Sequence, residues 1–452
     1  MAHPEVPAQI PPSIPAQLAA AGGAYWLRGV TVAAALVEAG GIAGPLAPDP
    51  NGLVRLDILV EAGVIRRITP AGAAVEDGLP TVDLDGGMVW PCFVDLHTHI
   101  DKGHIWPRRP NPDGTFMGAL LAVRADREAN WSATDIRRRM DFALRSAFAH
   151  GTKALRTHID ALPPQHRITF PVFEDLREAW AGRIELQASS LIPIDMAADA
   201  IAFEDVAGEV RRTGSVLGAV TYMVPELEAG LDRMFGHAIE HGLDLDFHVD
   251  ETADPTARSL HAIAEAAIRH GFEGRIVVGH CCSLARQPEE EADRTLDLVA
   301  EAGIGVVSLP MCNMYLQDRL AGRTPRWRGV TLLHEMRARG IPVSVASDNT
   351  RDPFYAYGDL DMVEVFREAV RIAHLDHPFG DWPEAVTATP AAMMHLHACG
   401  RIRVGGPADL VLFRARTYSE FLSRPQADRV VLRAGAAIDR TLPDYRELDD
   451  LM

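Results

Sequence analysis

The sequence is poor in cysteine. Its five residues (Cys92, Cys281, Cys282, Cys312 and Cys399) are odd in number and form no Cys-x-x-Cys pair. That excludes a disulfide framework or a structural zinc knuckle and makes a reducing cytoplasm the expected compartment. There is no apolar run long enough to span a bilayer. Residues 1–24 are rich in Pro and Ala but have no basic stretch leading into an apolar one, so they read as a loose tail and not as a signal peptide. Positive charge is short as well. A formal net charge of −18 excludes the basic footprint that nucleic acid or an anionic membrane surface demands. A small neutral or cationic molecule is the better-suited partner, and a homo-oligomer is compatible with the composition. Lysine is nearly missing: only Lys102 and Lys153 occur.

What is present is an ordinary globular balance, 47% hydrophobic and 23% charged, in a chain long enough for a barrel plus a smaller partner. Short strand-like runs separated by Gly, Pro and Asn fill the region from Tyr25 to about Val89: Tyr25–Val32, Leu53–Val60, Gly63–Ile68 and Thr81–Leu84. The far end repeats this character at Ala408–Phe413 and Arg429–Leu432. Residues 25–89 and 400–452 therefore predict one small β-sandwich built from both ends. Between them, residues 90–399 alternate apolar runs with amphipathic helical stretches, the signature of parallel βα units. The candidate strands are Phe93–His99, Ala154–Asp160, Ile184–Ile192, Val216–Met223, Leu243–Val249, Ile276–Cys281, Gly305–Leu309 and Pro342–Ser347. Eight of them predict an α/β fold, a closed (β/α)₈ barrel, whose chemistry belongs at the C-terminal ends of its strands.

Those ends carry the candidate ligands. His97 and His99 close the first strand; residues two apart on a strand face the same side, so both imidazoles can reach one ion. The motif alone is weak, and His395-Leu396-His397 is an internal control: it lies in a helical stretch, Ala391–Ala398, where residues two apart diverge by about 200°. His248 ends the fifth strand in Leu245-Asp-Phe-His-Val-Asp-Glu251, with Glu251 in the loop beyond. His280 ends the sixth, and Asp348 ends the eighth after apolar residues, where a buried carboxylate needs a partner such as a metal. Each has a plain structural alternative, a surface loop acid for Glu251 and a helix cap for Asp348. Four such strand ends on one barrel face make a far stronger signal than any one of them.

These runs, with Arg156-Thr-His-Ile-Asp160, Leu316-Gln-Asp-Arg319, Arg328-Gly-Val-Thr331, Ser347-Asp-Asn349, Arg351-Asp-Pro-Phe354 and Gly405-Gly-Pro-Ala-Asp-Leu410, occur in the order found in the cytosine deaminase branch of the amidohydrolase superfamily, which the chain resembles. The resemblance covers roughly residues 90 to 400 and implies a hydrolase that deaminates a small amino-substituted N-heterocycle. It implies His97, His99, His248 and Asp348 as ligands of one divalent transition metal, zinc or iron. It further implies Glu251 as the proton donor to a ring nitrogen, His280 as the residue that orients or activates the attacking water, and Asp348 as a proton relay. Binuclear members of the superfamily place a carboxylated Lys at the end of the fourth strand; Val224-Pro225-Glu226 follows it here, so one metal is expected. The chain departs from the cytosine pattern in three places. Leu191-Ile-Pro-Ile-Asp195 stands where a carbonyl-binding Gln is usual, Asn349 follows the metal Asp in place of Asp, and Phe354 replaces a Trp. The Asn349 pattern and His99-Ile-Asp-Lys102 are also similar to N-isopropylammelide-type aminohydrolases, so release of an alkylamine from an aminotriazine is the rival activity. A scaffold that has lost its chemistry is disfavoured by the complete acid/base set. Phe116, Asn349 and Phe354 are the expected substrate contacts, Phe116 with the alternative of a loop anchor.

Overall fold

The apolar runs of the middle segment become the strands of a parallel barrel in the computed structural model, which describes residues 13–42, 44–73 and 78–452. We number the barrel strands β1 (Phe93–Thr98), β2 (Thr152–Asp160), β3 (Glu185–Pro193), β4 (Leu217–Thr221), β5 (Leu245–Val249), β6 (Ile276–His280), β7 (Gly305–Ser308) and β8 (Val343–Val345). They pair in sequence order, each parallel to the next. A bridge between Thr98 and Asp348, with the Asp348 N–H donating to the His97 carbonyl at 2.9 Å, brings the last strand end to the first. Such strands are covered on both faces, which is why β5 and β6 are buried along their whole length; β6 reads as a nearly continuous apolar run, while β5 alternates, with Asp246 and His248 as its buried polar positions. The intervening helices are amphipathic and capped in sequence: Thr115, Ser132, Asp199 and Asp361 each accept a backbone N–H at a helix start. Val94, Leu96, Ala154, Val277 and Val307 pack with Met393 and Met394 as the barrel floor. Gly305 opens β7 there because a Cβ would sit 2.8 Å from Met393 Cε.

The chain divides into two compact units, Met1–Cys92 with Arg401–Arg440 and Phe93–Gly400 with Thr441–Met452. The first holds two four-stranded sheets. One is ordered Val64–Pro70, Leu53–Glu61, Ala24–Ala33, Thr81–Asp83; the other Ala436–Ala437, Val430–Arg433, Leu410–Leu412, Val89–Pro91. Both chain ends contribute to it, and the terminal strand runs are found where the sequence pattern puts them. Three expectations need correction. Residues 1–12 of the expected tail lie outside the described residues, but 14–21 are not loose: Ile14–Ala21 is a helix that buries Leu18. The segment 441–452 belongs to the barrel unit and not to the sandwich, held by Arg138 on Asp450, Arg145 on Glu447, and Arg108 on the Leu451 carbonyl. The helix before His395 ends at Met393; His395 has positive φ, is exposed, and pairs with Asp244. Among the described residues, no helix is long and apolar enough to cross a membrane.

Candidate active site

At the C-terminal ends of the barrel strands the backbone turns sharply. Asp250, His280, Cys281 and Asp348 all have left-handed φ, between 45° and 68°. Non-glycine residues hold such angles at a cost of about 1–2 kcal/mol each, and only where surrounding contacts enforce them. At Asp250 the enforcing contacts are visible: its carboxylate accepts from Ser259 N at 3.1 Å, Ser259 Oγ at 2.6 Å and Leu260 N at 3.1 Å, capping the next helix. The surface-loop alternative for this acidic pair therefore fails. Asp250 is buried and structural, and Glu251 is turned inward.

His97, His99, His248 and Asp348 converge. His248 Nε2 lies 3.1 Å from both His97 Nε2 and His99 Nε2, and Asp348 Oδ1 lies 3.6 and 3.3 Å from the same two nitrogens. Gly279 makes room for this: a Cβ there would meet His97 Cε1 at 2.8 Å. Burial, with the neighbouring imidazoles, pushes His97 well below the usual histidine range; burial does the same to His99 and His248, so all three are neutral lone-pair donors. Burial pushes Asp348 up to about 7, although a hydrogen bond from the buried Cys312 thiol pulls the other way. The donor set fits a divalent ion. Donors at these separations can all reach one ion at bonds of about 2.0–2.2 Å, and a cation would offset the cost of burying the carboxylate.

Two groups that could hold an ion overlap here, His97/His99/His158/His248 and His97/His280/Asp348. His158, on β2, was missed from the sequence. Its ring lies 4.0 Å from that of His97, and its Nε2 lies 3.1 Å from Asp246 Oδ1, whose other oxygen accepts from Arg156 at 2.9 Å. Against the effect of burial, His158 and Arg156 hold Asp246 below the usual carboxylate range. This buried Arg156–Asp246–His158 chain braces His97.

Glu251 and His280 sit beside the cluster, with Oε1 to Nδ1 at 3.5 Å. Burial, reinforced by Asp348, raises Glu251 well above the usual carboxyl range, and burial lowers His280 to about 3. Asn313, also missed, lies between the two: its Nδ2 is 3.0 Å from Glu251 Oε1 and 3.0 Å from His280 Nδ1. Outside them opens a cavity of about 690 Å³, in the range of small-ligand sites. Phe116, Asn349 and Phe354 all line it, as do Lys102, Arg127 and Asp160. The Phe116 and Phe354 rings meet edge to face at 5.4 Å. Asn349 donates one amide hydrogen to Asp352 at 2.7 Å, which leaves its oxygen and one N–H for a ligand. Lys102 bonds Asp160 at 2.8 Å; although burial opposes it, Asp160 and Asp101 keep the ammonium charged.

The Amidohydrolase family model matches residues 193–439. A pterin deaminase of Rhizobium rhizogenes is 60% identical over 418 residues, 92% of this chain and 95% of the relative. The N-isopropylammelide isopropyl amidohydrolase of a Pseudomonas species is 24% identical over 79% of this chain and 88% of its own. Among solved structures, the 5-methylcytosine deaminase of Klebsiella pneumoniae liganded with 5-fluorocytosine superposes with a TM-score of 0.75 at 21% identity, covering 93% of this chain and 98% of that one. A (β/α)₈ barrel with converging histidines and a carboxylate at its strand ends and a relative this similar lead to one assignment: the chain belongs to the amidohydrolase family and is a hydrolase acting on C–N bonds.

Proposed function

We propose that the protein hydrolyses the 2-amino group of a pterin, releasing ammonia and leaving a carbonyl at that carbon. The observation that carries this reading is the 60% identity, over nearly the whole of both chains, to a pterin deaminase. The cavity supports it. It is large for a single six-membered ring, and Leu191, Ile192 and Pro193 form an apolar wall where cytosine deaminases carry a carbonyl-binding Gln. Such a wall suits the second ring of a fused heterocycle. The Phe116 and Phe354 rings offer edges and faces to a flat substrate, and Lys102 has N–H donors beyond the one given to Asp160 for a ring carbonyl.

His97, His99, His248 and Asp348 would hold one divalent transition metal, zinc or iron. When bound, such an ion polarises oxygen and lowers the pKa of water to about 7. Glu251, held protonated by burial, delivers its proton to the ring nitrogen next to the amino-bearing carbon as water adds there, so the ring bears no net charge in the tetrahedral intermediate. Asp348, buried beside the imidazoles, carries one proton of the water to the amine, which departs as ammonia, and the proton left on the new hydroxyl returns to Glu251 as the carbonyl forms. One water is consumed, one C–N bond breaks and one C=O forms.

The test is release of ammonia from pterin and cytosine, and of isopropylamine from N-isopropylammelide, with zinc-reconstituted protein. Pterin turnover exceeding the other two is expected. Turnover of cytosine or release of isopropylamine with no reaction of pterin overturns the assignment.

A further inference from the structure

Asn313 lies in the helix Pro310–Leu316 that follows β7, and it belongs to no ligand group. It is fully buried, and a single nitrogen of its side chain faces two acid/base groups at once, Glu251 Oε1 at 3.0 Å and His280 Nδ1 at 3.0 Å. Four residues further on, Gln317 Nε2 donates to the Glu251 backbone carbonyl at 3.1 Å, so this stretch grips Glu251 by main chain and side chain together. An amide nitrogen carries two hydrogens and no lone pair. Whatever it faces at hydrogen-bond distance must accept.

We infer that Asn313 is a positioning residue that fixes where two protons of the active site reside. Because Glu251 Oε1 accepts from Asn313, the acid proton of Glu251 sits on Oε2. Because His280 Nδ1 accepts from Asn313, the neutral ring carries its proton on Nε2. That Nε2 is buried without a protein partner, and its ring packs 5.3 Å from His97 and 5.0 Å from His248. His280 therefore presents an N–H to the reacting centre and not a lone pair. It donates to the oxygen of the attacking water and then to the oxyanion that water becomes, and it does not take the proton. The resemblance leaves His280 with two roles, orienting or activating water; Asn313 selects the first. The inference rests on the proposed roles of Glu251 and His280 at the reacting centre.

The opposite amide orientation would set Asn313 Oδ1 against Glu251 Oε1 and would require protons on both Oε1 and Nδ1. The two arrangements differ in an observable that needs no substrate. Long-range ¹⁵N–¹H spectra of zinc-loaded, ¹⁵N-histidine-labelled protein report the tautomer of each ring, and the signals missing in His280→Gln identify His280. Protonated Nε2 with unprotonated Nδ1 is expected. In Asn313→Asp the new carboxylate accepts where the amide donated, so the His280 proton moves to Nδ1. With the N–H donor turned away from the oxyanion, kcat falls by about 10²–10³-fold while KM and zinc content stay near native. His280 protonated on Nδ1 in the native protein, or an Asn313→Asp variant that keeps the proton on Nε2, overturns the inference. Since the spectra involve no substrate, failure of pterin turnover overturns the assignment of the reaction and leaves the tautomer result to decide this inference alone.

Discussion

Glu251→Gln separates the chemistry of the site from its construction. Glu251 is fixed from three sides: Asn313 on Oε1 at 3.0 Å, Gln317 on its backbone carbonyl at 3.1 Å, and its neighbour Asp250 anchored to the start of the helix Ser259–His270. Gln has the same length, and its amide oxygen can still accept from Asn313, so the side chain keeps its place and the four converging side chains proposed to hold the metal are untouched. What disappears is a transferable proton. A positioned general acid contributes about 10²–10⁴-fold to rate, equivalent to roughly 2.7–5.4 kcal/mol at 1.36 kcal/mol per tenfold. The variant should therefore lose kcat by that factor in an ammonia-release assay while its metal content and melting temperature match the native protein. Retention of more than about a tenth of native kcat would refute the general-acid role. Loss of metal alongside activity would show instead that Glu251 belongs to the ligand set.

Other perturbations act on different parts of the same site. His248→Ala removes the nitrogen that lies 3.1 Å from both partner imidazoles, so elemental analysis should show lowered metal occupancy, unlike Glu251→Gln. Chelation followed by dialysis should abolish turnover and lower the melting temperature, because three imidazoles and a buried carboxylate are left crowded together; addition of zinc should restore both, and unchanged activity after verified metal removal would refute metal dependence. Asn349→Asp places a carboxylate against buried Asp352 where an amide now donates at 2.7 Å, costing about 1–3 kcal/mol. Denaturant unfolding should show that loss, and cytosine turnover should not improve.

The strands and the HxH pair are legible in sequence because both depend on short-range regularities. Each βα unit repeats an apolar run and an amphipathic helix, and His97 and His99 share a face through the two-residue period of a strand. His158 carried a signal of the same kind that went unread: Arg156, His158 and Asp160 place polar residues at every second position of a buried strand, which no core strand does without partners. Asn313 carried no such signal. Its importance comes from where the loop after β7 lands relative to Glu251, 62 residues earlier, and His280, 33 earlier. The misplacement of 441–452 has the same origin. Glu447 and Asp450 look like any acidic surface, and only long-range pairing with Arg145 and Arg138, some 300 residues upstream, ties them to the barrel. Asn349 shows a third limit: its residue type states what it can donate and accept, but Asp352 has already taken one of its two amide hydrogens.

The division into two units carries a consequence for how the protein can be made and dissected. Neither unit is a contiguous stretch of sequence. One is assembled from Met1–Cys92 and Arg401–Arg440, the other from Phe93–Gly400 and Thr441–Met452, so the chain crosses between them three times. On the ribosome, the first sheet of the small unit can form from the opening segment alone, but Val89–Pro91 must wait through synthesis of Phe93–Gly400 before its partner Leu410–Leu412 emerges. The barrel in turn receives its last segment only after the small unit's second half has been made. No single cut in the gene yields either unit whole, and a fragment meant to isolate the catalytic barrel would need its two pieces rejoined by a linker in place of 401–440.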